Sequence, residues 1–442
     1  MSFTTVTPLG KPLPPILLHQ TQKQPPAAFF EAWRQQPEFI NEIDGHFATV
    51  LVDDDGTYHL LRDPLGVHKL FFAFDPERGF AWSPLLHALR EAGYPPRTIW
   101  SLPSACCARF NPSQRRWSLQ RYREWDYGAW SGESATTITG RIRARLDRVF
   151  AQLAAALGDI PVWVTLSGGL DSTGIAAMAR RFFSKVEGVT FALDLDRRHV
   201  AAGEDLHYAR LAADHLSIPL REIHVDGDTM AEQLNNALIH GQDWRDFNVH
   251  CALVNACIGA HGDLPPGSVL LTGDTMNELV ADYSPVPFAG QTFYPLPRLK
   301  PGRLRRFLVS GLDSGDREVG VFHHFDLTAI QPYALCADAY TALPDAWLAN
   351  DDAKSALVRQ VMGDLIPAAI YARPKVRAQV GNDQQQGGTL AAMVARGING
   401  DHLKERFAAQ LNCAPAFLDS FLRAGIYRSP LGPDQIWADP SA

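Results

Sequence analysis

One stretch constrains this chain more than any other: Val164-Thr-Leu-Ser-Gly-Gly-Leu-Asp-Ser-Thr173. A short apolar run, Ile160 to Thr165, leads into it, and a helical pattern from Ser172 to Phe183 follows. Strand, glycine turn and helix in that order predict an α/β unit built on a parallel sheet. The glycines let backbone N–H groups approach a phosphate closely, and the helix N-terminus adds partial positive charge. The hydroxyls of Ser167, Ser172 and Thr173 suit phosphate oxygens. Asp171 would repel a bare phosphate, so its expected role is to hold Mg²⁺. No Gly-Lys-Ser/Thr follows, so this is not a Walker loop.

Downstream, strands at Val186–Leu193, Leu220–Val225 and Ser268–Leu271 alternate with helices at Glu204–His215, Thr229–His240 and Val249–Ala260. This rhythm predicts a parallel sheet whose final strand is Ser268–Leu271. Upstream the pattern differs. His46–Val52 and Tyr58–Arg62 flank the turn Asp53-Asp-Asp-Gly56, and Lys69–Phe74 pairs with Gly79–Trp82, so an antiparallel β-rich region is expected. Ala27–Gln36 is a short helix candidate. Ser131–Thr139 is read as a linker and Gly140–Gly158 as a helix. These features divide the chain into 1–130 and 131–442. The last third is helical by pattern, at Asp351–Met362, Leu390–Arg396, Asp401–Leu411 and Ala416–Ala424. Arg303-Leu-Arg-Arg306 reads as a solvated helix face.

A net charge of −7 and a pI of about 6.1 argue against broad nucleic-acid binding. Of six cysteines, Cys106, Cys107, Cys251, Cys257, Cys336 and Cys413, none lies at CxxC or zinc-ligand spacing, so reduced thiols and a cytoplasmic location are expected. Met1–His19 has no unbroken apolar core, so neither a signal peptide nor a membrane anchor is expected.

The loop matches the SGGxDS motif of PP-loop ATP pyrophosphatases, and with it most of the chain resembles the asparagine synthetase family. Arg62-Asp-Pro-Leu-Gly-Val67 and Leu70-Phe-Phe72 look like the end of that family's glutaminase domain. Leu271-Thr-Gly-Asp-Thr-Met-Asn-Glu-Leu279 resembles its SGxGxDEL segment, and Arg373-Pro-Lys375 followed by Gly381 its RxK segment. The resemblance implies a degenerate Ntn-type glutaminase-like domain ahead of a Rossmann-like synthetase domain. It implies ATP and Mg²⁺ as cofactors. Nucleotide contacts would come from Leu166, Ser167, Gly168, Gly169, Asp171, Ser172, Thr173, Leu193 and Gly273, and metal ligands from Asp171 and Asn277. Lys375 would stabilise developing charge, and Asp274 or Glu278 would serve as general base. Small-molecule carboxylic acid and amine substrates are implied, with no nucleic acid and no membrane; a homodimer is compatible.

Two departures shape the functional expectation. The family's glutaminase uses an N-terminal cysteine, whereas Ser2 follows Met1 here and no cysteine precedes Cys106. Serine is a far weaker nucleophile at neutral pH. The amine is therefore expected from a source other than glutamine. Asn277 stands where the family usually has a metal-binding Asp, and Asp274 or Glu278 could compensate. An acid at 274, where β-lactam-forming relatives carry Tyr, favours an external amine. The expected reaction is adenylation of a carboxylate with release of pyrophosphate, then amide formation, in specialised-metabolite biosynthesis. The alternatives are an intramolecular cyclase, a tRNA-modifying PP-loop enzyme and a catalytically dead homologue. Plainer roles stay open: Lys375 as a surface lysine, Asp274 as a cap for a helix near Met276, His323-His324 as a pair with no third ligand.

Overall fold

The computed structural model describes residues 3–18, 44–193, 204–283, 286–293, 298–311, 317–348, 352–376, 378–381, 387–423 and 426–427. The helix candidate Ala27–Gln36 lies outside them. The chain divides into two units: Met1–Trp125 with Val309–Gly315 and Ala408–Ala442, and Asp126–Leu308 with Asp316–Phe407. Two later segments, Val309–Gly315 and Ala408–Ala442, thus group with the N-terminal residues. The return of the C-terminal segment is invisible to local pattern; one tie within the first unit is Arg90 Nε, which donates to the Leu411 carbonyl at 2.7 Å.

The first unit is antiparallel, as expected. Its main sheet runs Phe3–Thr5, Ala48–Asp53, Tyr58–Arg62, Cys106–Asn111, Arg116–Arg121. Phe71–Asp75, Gly79–Ser83 and Ile99–Ser101 form a second sheet. Strand alternation sends neighbouring residues to opposite faces. Cys106 thus packs with Val50, Leu60, Phe72 and Trp82, and Cys107 with Phe47, Leu51 and Leu61. At the corner after Tyr58–Arg62, Asp63 accepts from the backbone N–H groups of Gly66, Val67 and His68 at 2.6, 3.0 and 2.8 Å. Arg62 donates to the carbonyls of Gly66, His68 and Leu102. Buried polar groups must be paired, and most of this pairing is completed within the Arg62–His68 turn itself.

The second unit carries a five-stranded parallel sheet in the order Leu220–Val225, Val186–Leu193, Val162–Thr165, Val269–Leu271, Thr328–Ile330. Ser268–Leu271 is therefore not the final strand. The fifth, Thr-Ala-Ile, is too short to show a period. Helix Ala135–Leu157 starts inside the segment read as a linker; Ser134 Oγ caps it by accepting from Thr137 N–H at 3.2 Å. Its buried face, Ile138, Ile142, Leu146, Val149, Phe150 and Leu153, has helical spacing. The segment Thr229–His240 is two helices, Gly227–Glu232 and Leu234–Gly241. Arg305 also corrects the reading of a solvated face. It is fully buried, and donates to the Tyr340 and Leu343 carbonyls and to Asp345. No helix among the described residues is long and apolar enough to cross a membrane.

Candidate active site

The first strand of the parallel sheet, Val162–Thr165, pairs with the second on one side and the fourth on the other. Strand order reverses there, and ligands of open α/β sheets bind beyond the carboxyl ends of strands at such a point. Two loops leave those ends. One is the glycine loop, Leu166 to Gly169, opening helix Leu170–Phe182; the other is Thr272 to Thr275, opening the short helix Met276–Leu279.

Glycine is required in both. Gly168 has φ +69°, and a Cβ there would lie 2.3 Å from the Tyr208 carbonyl carbon and 2.4 Å from the Ala209 nitrogen. A Cβ on Gly273 would lie 2.7 Å from Ser172 N, so the two loops touch backbone to backbone. Ser172 Oγ braces the glycine loop by accepting from Ser167 N–H at 3.2 Å and donating to the Gly169 carbonyl at 3.3 Å. Leu166 N–H donates to the Val189 carbonyl at 2.8 Å. Thr173 is fully buried and its Oγ1 has no hydrogen-bond partner, so it sits in the core rather than on the loop surface. Leu193 ends the second strand and is buried.

Arg373 clamps this loop from outside. It donates to the Ser167 carbonyl at 3.0 Å and to Asp205, and lies 4.4 Å over the Tyr208 ring. Burial pushes the Asp205 carboxyl up to about 6, against the pull of Arg373. Gly381 leaves room for that carboxylate, since a Cβ would come within 2.3 Å of it.

The second loop is strained. Thr275 is a β-branched residue at φ +79°, a conformation that costs about 1–3 kcal/mol and persists where the surroundings dictate it. Its Oγ1 donates to Gln331 at 2.9 Å. Asp274 is not a helix cap, for both its oxygens accept from Arg317, through Nε at 2.6 Å and through Nη2. Arg317 Nη2 also donates to Glu278 Oε1 at 2.7 Å, and Tyr283 Oη donates to the same oxygen at 2.7 Å. Burial raises the Asp274 carboxyl, and Glu278 adds to the rise while Arg317 opposes it. Both oxygens of Asp274 are taken by Arg317, which corrects the expectation of a free base there, whereas Glu278 Oε2 is buried without a hydrogen-bond partner. Next to Arg317, Glu318 accepts from Thr272 Oγ1 at 2.6 Å and Gln331 Nε2 at 2.9 Å; burial, then Asp274, pushes it up to about 8.

Asp171 and Asn277 do come together, around a lysine that no motif in the sequence marks. Lys354 Nζ donates to Asp171 Oδ2 at 2.5 Å and to Asn277 Oδ1 at 2.6 Å, with Asp282 Oδ2 at 3.4 Å. Burial alone would lower the Lys354 ammonium, but Asp171 and Asp282 outweigh it and hold it above its ordinary value. Lys375, half exposed, pairs with the Asp282 carboxylate and donates to the Asp282 carbonyl at 2.5 Å. Asp171 Oδ1 is buried without a hydrogen-bond partner. Burial raises its carboxyl, with Lys354 pulling the other way. Two carboxylates, one of them with its Oδ1 unpartnered, and an amide oxygen form the hard-oxygen set that suits Mg²⁺, which is usually held by one or two carboxylates plus substrate phosphates. Among the described residues, no three His, Cys, Asp or Glu side chains form a metal cluster. His323 and His324 accordingly gain no third ligand there; His324 stacks on His240 at 4.0 Å.

The segment Asp243–His250, at the start of helix Asp246–His261, folds on itself. Asp243 is buried and accepts from Arg245 and from Asn248 Nδ2, and Asn248 Oδ1 lies 3.4 Å from Arg317 Nη1. It therefore backs the Arg317 network.

Residues 142–314 match the asparagine synthase family model, and residues 20–91 a glutamine amidotransferase domain model. Asparagine synthetase B [glutamine-hydrolyzing] of Escherichia coli (strain K12) is 27% identical over 219 residues, which is 46% of this chain and 37% of that protein. Carboxyethyl-arginine beta-lactam-synthase of Streptomyces clavuligerus is 34% identical over 97 residues, 22% of this chain and 17% of that protein. The matches thus span well under half of these relatives' lengths. A glutamine-dependent NAD+ synthetase from Acinetobacter baumannii, solved with ADP, aligns at 11% identity and a TM-score of 0.28, covering 70% of this chain and 50% of that one. The synthase segment carries the glycine loop, Asp171 and the Asp274–Glu278 turn, and over that segment this chain is similar to the asparagine synthetases.

Proposed function

We propose that this protein is an ATP-dependent carbon–nitrogen ligase that adenylates a small-molecule carboxylic acid and passes the acyl group to an amine supplied by a source other than glutamine. The observation that carries the reading is the glycine loop at the strand-order switch, with Asp171, Lys354 and Lys375 gathered beside it. In the first step a substrate carboxylate oxygen attacks the α-phosphate of ATP and pyrophosphate departs. Backbone N–H groups of the glycine loop and the N-terminus of helix Leu170–Phe182 would face the departing charge. Lys354 and Lys375 exchange their aspartate partners for phosphate oxygens. Asp171 with Asn277 would hold Mg²⁺, whose chemistry is to neutralise pyrophosphate charge. In the second step the neutral amine attacks the acyl carbon and AMP leaves. Arg317 engages Asp274 and Glu278 Oε1, while Glu278 Oε2, buried without a partner, would take the proton that the amine gives up as AMP leaves.

The N-terminal unit is proposed as a degenerate glutaminase-like platform. The adjacent cysteines of its main sheet support that, because burial pushes Cys106 up to about 12 and Cys107 up to about 11, leaving no thiolate there at neutral pH. A role in specialised metabolism and a cytoplasmic location belong to the same proposal. ATP–pyrophosphate exchange across a panel of amino and dicarboxylic acids tests the reading. Acid-dependent exchange with AMP as the nucleotide product is expected; ADP as product, or no exchange with any acid, overturns it.

A further inference from the structure

The family's metal-binding aspartate is Asn277 in this chain, which leaves Asp171 without the second carboxylate the resemblance implies. Arg317 takes both oxygens of Asp274, and Arg317 and Tyr283 take Glu278 Oε1; neither residue is among the contacts of Lys354, which are Asp171, Asn277 and Asp282. Among the described residues, one other carboxylate reaches the cluster. After helix Met276–Leu279 the chain turns through Ala281, at φ +54°, and Asp282 N–H donates to the Asn277 carbonyl at 2.9 Å. That closed turn carries the Asp282 side chain back beside Asn277. Its Oδ2 is 3.4 Å from Lys354 Nζ, which also touches Asp171 Oδ2 and Asn277 Oδ1, and its Oδ1 meets Lys375.

Resting on the ligase reading, we propose that Asp282 is the relocated second carboxylate of the magnesium site, taking over from position 277, with Asn277 reduced to a neutral oxygen donor. The Lys354 ammonium marks the place: a positive charge at the focus of oxygens from Asp171, Asn277 and Asp282. The charge inventory is consistent. Asp171 and Asp282 balance Lys354 and Lys375. Nucleotide phosphates would draw off the two ammonium groups, and the two carboxylates would then face a divalent cation. The lysines are thus resident counter-ions for a site that two aspartates build.

Mn²⁺ binding to the full chain, followed by electron paramagnetic resonance with α,β-methylene-ATP present, tests this without turnover. Asp282→Asn is nearly isosteric and should weaken Mn²⁺ binding at least about tenfold, since affinity follows ligand charge. A double variant, Asn277→Asp with Asp282→Asn, returns the carboxylate to 277 and should recover most of that loss, which a mere folding defect would not allow. Wild-type Mn²⁺ binding by Asp282→Asn, or a double variant as weak as the single one, overturns the assignment. Pyrophosphate exchange by the unmodified protein is read separately, so loss of the ligase reading and loss of the Asp282 assignment are distinguishable.

Discussion

Arg317 offers the sharpest test of how the site is held. Its side chain is 5% exposed and faces two carboxylates, Asp274 at 12% and Glu278 at 2%. Arg317→Met removes the guanidinium that bridges them and leaves two buried negative charges side by side. Removing one partner of a buried ion pair costs about 3–5 kcal/mol, so a loss near the top of that range is expected here. The sign of its pH dependence follows from the carboxylates. Burial already raises Asp274, and Arg317 opposes that rise; without Arg317 the folded-state value climbs further above the unfolded one. A carboxyl raised in the folded state favours the folded state when protonated, so that contribution fades as pH rises toward the new folded value. Urea unfolding of Arg317→Met at pH 5 and pH 8 should therefore show the larger defect at pH 8. Arg317→Lys keeps the charge but cannot make the two-pronged contact, and should fall between. Combining Arg317→Met with Asp274→Asn and Glu278→Gln should recover most of the loss, because apolar or neutral replacements of buried pairs are often tolerated. A single variant within about 1 kcal/mol of the unmodified protein and flat with pH would refute the network as described.

Three other measurements probe neighbouring parts of the same geometry. Gly168→Ala meets both a positive φ, at about 1–2 kcal/mol, and a backbone clash of about 1–3 kcal/mol, whereas Gly56→Ala, with φ +73° and nothing within 4 Å, meets only the first; thermal unfolding should separate the two, and equal shifts would count against the close approach to Tyr208. Glu318, raised to about 8 by burial, contributes stability at low pH that is lost as pH rises from its unfolded value through 8, at about 1.4 kcal/mol per pH unit at most; Glu318→Gln should flatten the melting-temperature profile between pH 5 and 8. Lys354→Met should lower pyrophosphate exchange by about 10²–10³, the scale for one lost charge-stabilising donor, with melting temperature as the control for folding.

What could be read from the sequence was whatever lies contiguous along it. The glycine loop needs a strand, two glycines and a helix within a short run of residues, and these hold their meaning in any surrounding fold. Strands Val186–Leu193 and Leu220–Val225 were legible because both are long enough to show apolar content. Lys354 was not, since it sits 183 residues from Asp171 on an ordinary amphipathic helix. Arg317 and Asp282 carry no motif either; long-range pairing alone gives them a role. Arg305 misled because its charge argues for water while its partners, two carbonyls and Asp345, lie inside. Ser134 was available as a signal, three residues before Thr137 in capping position, but the polarity around it reads equally well as a linker.

The backbone contact between Gly273 and Ser172 bears on how such a site could diversify. Two segments that meet with no side chain between them cannot be lengthened, bulked or tilted one at a time, so the floor of the site is inherited whole. Room for novelty lies where side chains rather than backbones meet, since these can be exchanged one at a time. A library aimed at new acids or amines would do best to leave that floor untouched.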